Sequence, residues 1–179
     1  MSCLMIDVKS FHLDEDDVRR IQHPLVGGII LFSRNYSSKD QLIQLVTEIR
    51  AIKKNILIGV DHEGGRVQRF HEDFTAIPSM ASLGRLYDND SRKAKKLVAL
   101  IGWLISKELG GCNIDFSFTP VLDVNHGNSS VIGDRSFHSE ILPVEELGKC
   151  LIKGLDSGGM QAIGKHFPGH GFISEDTHH

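Results

Sequence analysis

Short continuous apolar runs alternate along the chain with longer segments in which apolar residues recur every three or four positions. A continuous apolar run is typical of a strand that is buried on both faces of a sheet. The runs predict five strands, at residues 3–8, 26–32, 56–60, 116–124 and 161–167. Pro120 lies inside the fourth strand and predicts an irregularity there, because proline has no backbone N–H to donate to a strand ladder.

The segments between these strands carry helix start and stop signals. The predicted helices cover residues 14–22, 38–49, 90–110 and 143–156. Their start signals are an acidic turn at Asp14, Ser38 three residues before Gln41, Asp90 as an N-cap, and Pro143 in a first turn. Glycine pairs at 110–111 and 158–159 end the last two helices.

This alternation predicts an α/β fold with a parallel sheet and crossover helices. Five βα-type units fit either an open doubly wound sheet or part of a (β/α)₈ barrel. At 179 residues, the chain is short for a complete barrel, which usually needs about 250 residues. In both architectures the functional side chains lie at the C-terminal ends of the strands.

Composition excludes several classes of protein. Hydrophobic residues make up 40% of the chain and charged residues 24%, as in an ordinary globular domain. A formal net charge of −3 gives no basic excess that would favour nucleic-acid binding. The apolar stretches are too short to span a membrane, and the N-terminus lacks the basic start of a signal peptide. Cys3, Cys112 and Cys150 are too far apart for a disulfide framework or a paired-cysteine zinc site, so we expect a reduced, cytoplasmic setting.

Charged and imidazole side chains collect behind three of the predicted strands. They occupy residues 61–70 after the third strand, 123–126 and 133–137 after the fourth, and 165–171 and 176–179 after the fifth. Alone, an aspartate here is typical of a turn or a helix cap, an arginine of a surface ion pair, and the glycines at 64–65 of a tight turn. Together they predict one functional site at this end of the sheet.

Five of these side chains suit a small polyhydroxylated ligand. Lys165 and His166 donate to oxygens, Arg69 and Arg135 add fork-shaped donors, and Asp61 accepts from hydroxyls. Such a mixture is needed because every hydroxyl of a buried sugar must be paired.

Two further residues predict acid–base chemistry. Asp176 stands two positions before His178, and a carboxylate beside an imidazole fixes its tautomer and makes it a usable proton donor and acceptor near neutral pH. His166 and His170 have a spacing that on a helix would favour zinc, but the Pro-Gly pair between them disfavours a helix. We therefore predict neither a metal nor a cofactor.

Three linked motifs resemble a known family. Residues 60–70, Val-Asp-His-Glu-Gly-Gly-Arg-Val-Gln-Arg-Phe, resemble the signature of glycoside hydrolase family 3. Residues 165–171, Lys-His-Phe-Pro-Gly-His-Gly, followed by Asp-Thr-His at 176–178, resemble its bacterial β-N-acetylglucosaminidase branch. The similarity covers nearly the whole chain.

The resemblance implies a TIM-type (β/α) barrel, of which residues 1–179 form the N-terminal portion with about the first five βα units of eight. It implies retaining hydrolysis of terminal β-linked N-acetylglucosamine, which Gram-negative enzymes of this kind carry out in the cytoplasm on muropeptides during cell-wall recycling. It implies that His178, oriented by Asp176, is the acid/base. The implied sugar-binding residues are Asp61, Arg69, Arg135, Lys165 and His166.

The chain departs from the family pattern at its nucleophile and at two motif positions. The family places its nucleophilic aspartate on a later strand, and no aspartate here matches it, so we expect severe loss of turnover by this chain alone. His62 stands where a glutamine is expected, and Thr177 where a serine is expected. Open edges on the first and fifth strands predict self-association or instability.

Three other functions stay open at this point. The chain could be a non-catalytic half-barrel that binds sugar or a partner protein. It could be a β-glucosidase of the same superfamily, which a comparison of glucoside with N-acetylglucosaminide would reveal. A metal-dependent TIM-barrel hydrolase is the third, and sensitivity to chelators would reveal it.

Overall fold

A computed structural model describes residues 3–174 of the chain. Its strands in that range are β1 (Leu4–Ile6), β2 (Val26–Leu31), β3 (Leu57–Val60), β4 (His62–Gly64), β5 (Val67–Gln68) and β6 (Phe116–Ser117). Its α-helices are α1 (Glu15–Gln22), α2 (Lys39–Ile52), α3 (Met80–Asn89), α4 (Ser91–Gly111) and α5 (Ile141–Gly158). Short 3₁₀ turns cover Ser33–Asn35 and Gly133–Arg135.

A parallel sheet forms the centre of the fold. Its order is β1–β2–β3–β6, and β4 pairs with β5 in a separate antiparallel hairpin. The helices connect the parallel strands, and the buried side chains of α2, α4 and α5 join those of the sheet in one apolar core. The predicted α/β architecture with a parallel sheet is therefore confirmed.

The fourth and fifth strands are shorter than the sequence predicts. β6 ends at Ser117, and the segment predicted as the fifth strand contributes a bridge between Val121 and Lys165 in place of a regular strand. Backbone bonds still run along it, from the Leu122 amide to the Lys165 carbonyl (2.7 Å) and from the Lys165 amide to the Pro120 carbonyl (3.1 Å). Because Pro120 cannot donate to a ladder, the pairing here is irregular.

The helix termini confirm the predicted signals. Asp14 caps α1 and accepts from the Asp17 amide, and Asp90 caps α4 and accepts from the Lys93 amide. Ser38 accepts from the Gln41 amide at 3.2 Å, while the Gln41 side chain accepts from the amide at position 37. Past α5, Gly159 has the left-handed φ of 92° that favours glycine at a helix end. Helix α3 and the β4–β5 hairpin were not predicted.

Helices α4 and α5 pack backbone to backbone through glycines. A Cβ at Gly102 would lie 2.4 Å from the Leu151 carbonyl oxygen, and one at Gly154 would lie 2.1 Å from the Ala99 carbonyl oxygen. This close contact holds α5 against α4 and so positions the segment that leads to Lys165. Within residues 3–174, no helix combines the length and apolar character that a membrane crossing needs.

Both ends of the parallel sheet leave apolar side chains exposed. Within the described part of the chain, β1 pairs with β2 alone, and its Leu4 is 48% exposed. At the other end Leu122 is 43% exposed and Ile141, at the start of α5, is 72% exposed. In the described residues, β1 therefore has one edge without a partner strand.

Candidate active site

The five predicted sugar-binding residues meet at the C-terminal end of the sheet. Together they line one cavity of about 790 Å³: Asp61, Arg69, Arg135, Lys165 and His166. They come from four places in the fold. Asp61 follows β3, Arg69 follows β5, and Arg135 lies in the second 3₁₀ turn. Lys165 forms the isolated bridge with Val121, and His166 follows it. Parallel strands bring these positions together because their C-terminal ends share one edge of the sheet.

A carboxylate that the sequence did not single out pairs with two of these cations. Glu63, on β4, is only 1% exposed. Its Oε1 accepts from Arg135 Nη2 at 2.8 Å and its Oε2 from Arg135 Nε at 2.9 Å, a bidentate pair. Lys165 Nζ lies 2.5 Å from Glu63 Oε1. Glu63 therefore holds two predicted sugar-binding cations in place.

The sequence around Glu63 indicates only a tight turn at the two glycines that follow it. The turn is there, since Gly64 and Gly65 have φ values of 115° and 55°. Charge balance was the signal that could have identified Glu63. Three cations around the single carboxylate of Asp61 predict that a second buried anion lies nearby.

Asp61 is the second anion of the cluster. Its Oδ1 lies 2.6 Å from Lys165 Nζ, and its Oδ2 lies 3.6 Å from Arg69 Nη2. Arg69 is therefore held less tightly than Arg135 and keeps N–H donors for a ligand. Burial lowers the pKa of the Arg135 guanidinium, but the hydrogen bonds and charge of Glu63 outweigh it, and the pKa is raised above its ordinary value.

His166 has a partner of its own. Its Nδ1 lies 2.5 Å from Asp123 Oδ2, and its backbone amide donates to the same oxygen at 3.2 Å. The peptide bond between Lys165 and His166 is cis. Asp123 was noted only as a strand-end residue in the sequence, because nothing in its local spacing connects it with a histidine 43 positions away.

Comparison with known proteins decides the family. Residues 3–179 match the sequence model described as the glycosyl hydrolase family 3 N terminal domain. The chain belongs to glycosyl hydrolase family 3.

Relatives in family 3 include proteins named beta-hexosaminidase. The chain is 53% identical over 176 residues to the one from Methylobacillus flagellatus, covering 98% of this chain and 50% of that protein. It is 49% identical over 178 residues to the one from Bordetella avium, covering 98% of this chain and 51% of that protein. The chain therefore spans about half the length of the curated relatives it matches.

Solved structures of family 3 proteins share the fold. NagZ from Neisseria gonorrhoeae in complex with N-trifluoroacetyl-D-glucosamine matches with a TM-score of 0.95 at 47% identity, over 99% of this chain and 53% of that one. A family 3 beta-N-acetylglucosaminidase from Paenibacillus sp. str. FPU-7 matches with a TM-score of 0.88 at 35% identity, over 98% of this chain and 33% of that one. The predicted family resemblance is thus confirmed, and a partial barrel agrees with these matches.

The predicted acid/base pair is not part of the described structure. Asp176 and His178 lie outside the described residues. Ser174, the last described residue, lines the same cavity as the five predicted sugar-binding residues. Among residues 3–174, no three His, Cys, Asp or Glu side chains are placed to hold a metal ion together.

Proposed function

We propose that this chain provides the sugar-binding part of a retaining β-N-acetylhexosaminidase, which releases terminal β-linked N-acetylglucosamine. The convergence of five charged or imidazole side chains on one cavity of about 790 Å³ carries this proposal. That volume lies within the range of small-molecule sites. A family 3 relative with 47% identity holds N-trifluoroacetyl-D-glucosamine, which supports an N-acetylated sugar as the ligand.

The cavity offers both donors and acceptors to a sugar. Asp61 accepts from hydroxyls, while Arg69 and Lys165 donate charge-assisted hydrogen bonds, which are stronger than neutral ones. The ion pairs of Lys165 to Asp61 and Glu63 already orient the ammonium group before a ligand arrives. A site ordered in advance spends less binding free energy on fixing side chains.

The proposed reaction divides between this chain and a nucleophile that it does not hold. A carboxylate attacks C1 of the sugar while the glycosidic oxygen takes a proton from His178 and leaves. Water then attacks C1, His178 takes a proton from that water, and the carboxylate is released. Asp176 stabilises the imidazolium. In the family the carboxylate belongs to a later strand, and no aspartate of these 179 residues matches it.

We propose a cytoplasmic setting and a role in the recycling of cell-wall sugars. The cysteines support a reducing compartment, since Cys3, Cys112 and Cys150 are all free. Saccharides with terminal N-acetylglucosamine are the proposed substrates, and residues 1–179 form one portion of a single barrel domain.

Sugar binding by the purified 179-residue chain tests this proposal. We expect N-acetylglucosamine to bind more tightly than glucose in isothermal titration calorimetry, and Arg69→Ala to weaken binding by about 10- to 100-fold, because a hydrogen bond from a charged group contributes about 1.5–3 kcal/mol. Arg19→Ala, an exposed arginine of α1 paired with Asp16, is the matched control and leaves affinity unchanged.

A chromogenic β-N-acetylglucosaminide separates the alternatives. We expect no turnover by the folded chain, while binding persists. Failure of the chain to bind N-acetylglucosamine would contradict the proposed function. Turnover that His178→Ala abolishes would show that the nucleophile assignment is wrong, and preferential binding of glucose would favour a β-glucosidase.

Self-association through the sheet edges is a separate prediction. The exposed Leu4 on β1 and Leu122 at the other end are apolar surfaces that water disfavours, and β1 presents unpaired backbone groups. We expect light scattering to give a mass above that of one chain. Leu4→Lys, which charges the β1 edge, should lower that mass; a monomer for the unaltered chain contradicts the prediction.

A further inference from the structure

Three N–H groups converge on one buried carboxylate beside the cavity. Asp123 Oδ2 accepts from His166 Nδ1 at 2.5 Å and from the His166 amide at 3.2 Å, and Oδ1 accepts from the His170 amide at 2.5 Å. The Asp123 side chain is 0% exposed. A carboxylate removed from water is stable only when such donors replace its hydration.

The local fold holds Asp123 itself in a fixed position. The Ser136 hydroxyl donates to the Asp123 carbonyl at 2.5 Å, which ties this residue to the segment after the second 3₁₀ turn. Burial raises the pKa of the Asp123 carboxyl, but the hydrogen bonds from His166 and from the His170 amide together outweigh it, and the pKa is lowered. Asp123 is therefore an anion with a defined set of partners.

The contact with Asp123 determines which nitrogen of the His166 ring carries the proton and which one can accept a hydrogen bond from a ligand. A carboxylate can only accept, so the neutral imidazole places its proton on Nδ1 and leaves Nε2 as an acceptor. His166 lines the cavity together with Asp61 and Lys165. The acceptor at Nε2 complements the donors of Lys165, because a sugar hydroxyl both donates and accepts.

Asp123 also holds the backbone that follows His166. The amides of His166 and His170 bind the two oxygens of one carboxylate, which closes the turn between them. Gly171 packs against the same strand end, since a Cβ there would lie 2.0 Å from the Val124 carbonyl oxygen. The chain thus leaves the bridge at Lys165 in a set direction along the cavity rim.

We propose that Asp123 is a positioning residue for the sugar: it holds His166 with Nε2 available as an acceptor and closes the turn from His166 to His170. This inference rests on the proposed function for its ligand and on the three contacts of Asp123 for its mechanism. Asp123 touches no ligand itself and acts through His166.

The ring tautomer of His166 tests the mechanism without any sugar. At about pH 8.5, roughly two units above the ordinary imidazole value, ¹⁵N NMR of the 179-residue chain should show His166 protonated at Nδ1. Asp123→Ala should shift the ring population towards Nε2–H. A His166 ring protonated at Nε2 in the unaltered chain would overturn the proposal.

Sugar affinity tests the consequence. Asp123→Asn keeps the side-chain shape, but its amide presents one oxygen where the carboxylate presents two, and its NH₂ must face one of the N–H donors. We expect binding of N-acetylglucosamine to weaken about tenfold, with Asp123→Glu closer to the unaltered chain than Asp123→Asn. Equal affinity in Asp123→Asn and the unaltered chain would overturn the proposal.

Asp115→Asn is the matched control. Asp115 is a part-buried carboxylate that, like Asp123, has a basic partner and a backbone donor: it accepts from Arg50 Nη2 at 2.9 Å and from the Ile58 amide at 2.6 Å. It precedes β6 and so lies at the opposite end of the sheet. We expect Asp115→Asn to lower the stability of the chain and to leave the sugar affinity and the His166 tautomer unchanged. If the unaltered chain binds no N-acetylglucosamine, the proposed function fails, and the tautomer still reports on Asp123.

Discussion

Replacing Glu63 with alanine is expected to lower the free energy of unfolding by about 3–5 kcal/mol, the cost typical of removing one partner of a buried ion pair. Glu63 is 1% exposed, and it contacts both Arg135 and Lys165. Without it, Arg135 loses the carboxylate that it pairs with, and Lys165 keeps only Asp61, which also pairs with Arg69. The desolvation of the two cations is then no longer fully compensated. Urea unfolding followed by circular dichroism measures the change.

An exposed ion pair provides the control for this prediction. Glu145 pairs with Lys149 on α5, with side chains 52% and 63% exposed. Glu145→Ala should cost at most about 1 kcal/mol, because exposed ion pairs contribute little to stability. If Glu63→Ala costs no more than Glu145→Ala, the interpretation of Glu63 as the centre of a buried network is wrong. Glu63→Gln, which keeps the shape, should fall between Glu63→Ala and the unaltered chain.

Acid should destabilise the chain through His62, and His62→Gln should remove much of that effect. His62 is buried on β4, its ring lies 5.8 Å from that of Phe70 and 5.5 Å from that of Phe74, and within the described part of the chain neither ring nitrogen has a hydrogen-bond partner. Burial, with a smaller contribution from His71, lowers the pKa of His62 from 6.5 to about 4. The folded chain therefore holds a neutral imidazole where the unfolded chain takes up a proton.

The lowered pKa of His62 sets both the direction of the stability change and the pH range in which it occurs. Above pH 6.5 both states carry a neutral His62, and the full stability is present. Between pH 6.5 and about 4 only the unfolded state binds the proton, so the free energy of unfolding falls as the pH falls. Each pKa unit between the unfolded and the folded chain corresponds to about 1.4 kcal/mol, so the loss of stability is about 3 kcal/mol.

Urea unfolding at a series of pH values measures this loss. Between neutral pH and about pH 4, the free energy of unfolding of the unaltered chain should fall further than that of His62→Gln, by about 3 kcal/mol, because glutamine does not titrate. His12→Gln, at an exposed histidine, controls for the removal of an imidazole and should leave the loss in place. Parallel pH profiles for His62→Gln and the unaltered chain would show that His62 does not carry the effect.

Much of the fold could be predicted because its signals are local. The caps at Asp14, Ser38 and Asp90 depend on a side chain and an amide three positions away, and all three form as predicted. The regular strand predicted over residues 161–167 was wrong: the structure has an isolated bridge between Val121 and Lys165 there, because Pro120 interrupts the partner segment. Helix α3 was not predicted: it has only ten residues, and Gly84 in its interior weakens the helix signal.

The site could be predicted in part. Strand-end position and residue type were enough to place Asp61, Arg69, Arg135, Lys165 and His166 on one cavity. Their roles towards a sugar stay predictions, as do those of Asp176 and His178, which lie outside the described residues. Glu63 and Asp123 were not identified, although both are more deeply buried than the residues that they hold.

The sequence by itself determined the βα alternation, the helix boundaries and the end of the sheet that carries the chemistry, because each depends on spacing within a few residues and on side-chain type. Only the tertiary structure decided how the charges pair. Glu63 meets Arg135 across 72 positions and Asp123 meets His166 across 43. Such pairs form because the sheet brings distant strand ends together and excludes water there, so each buried charge must find a partner in space.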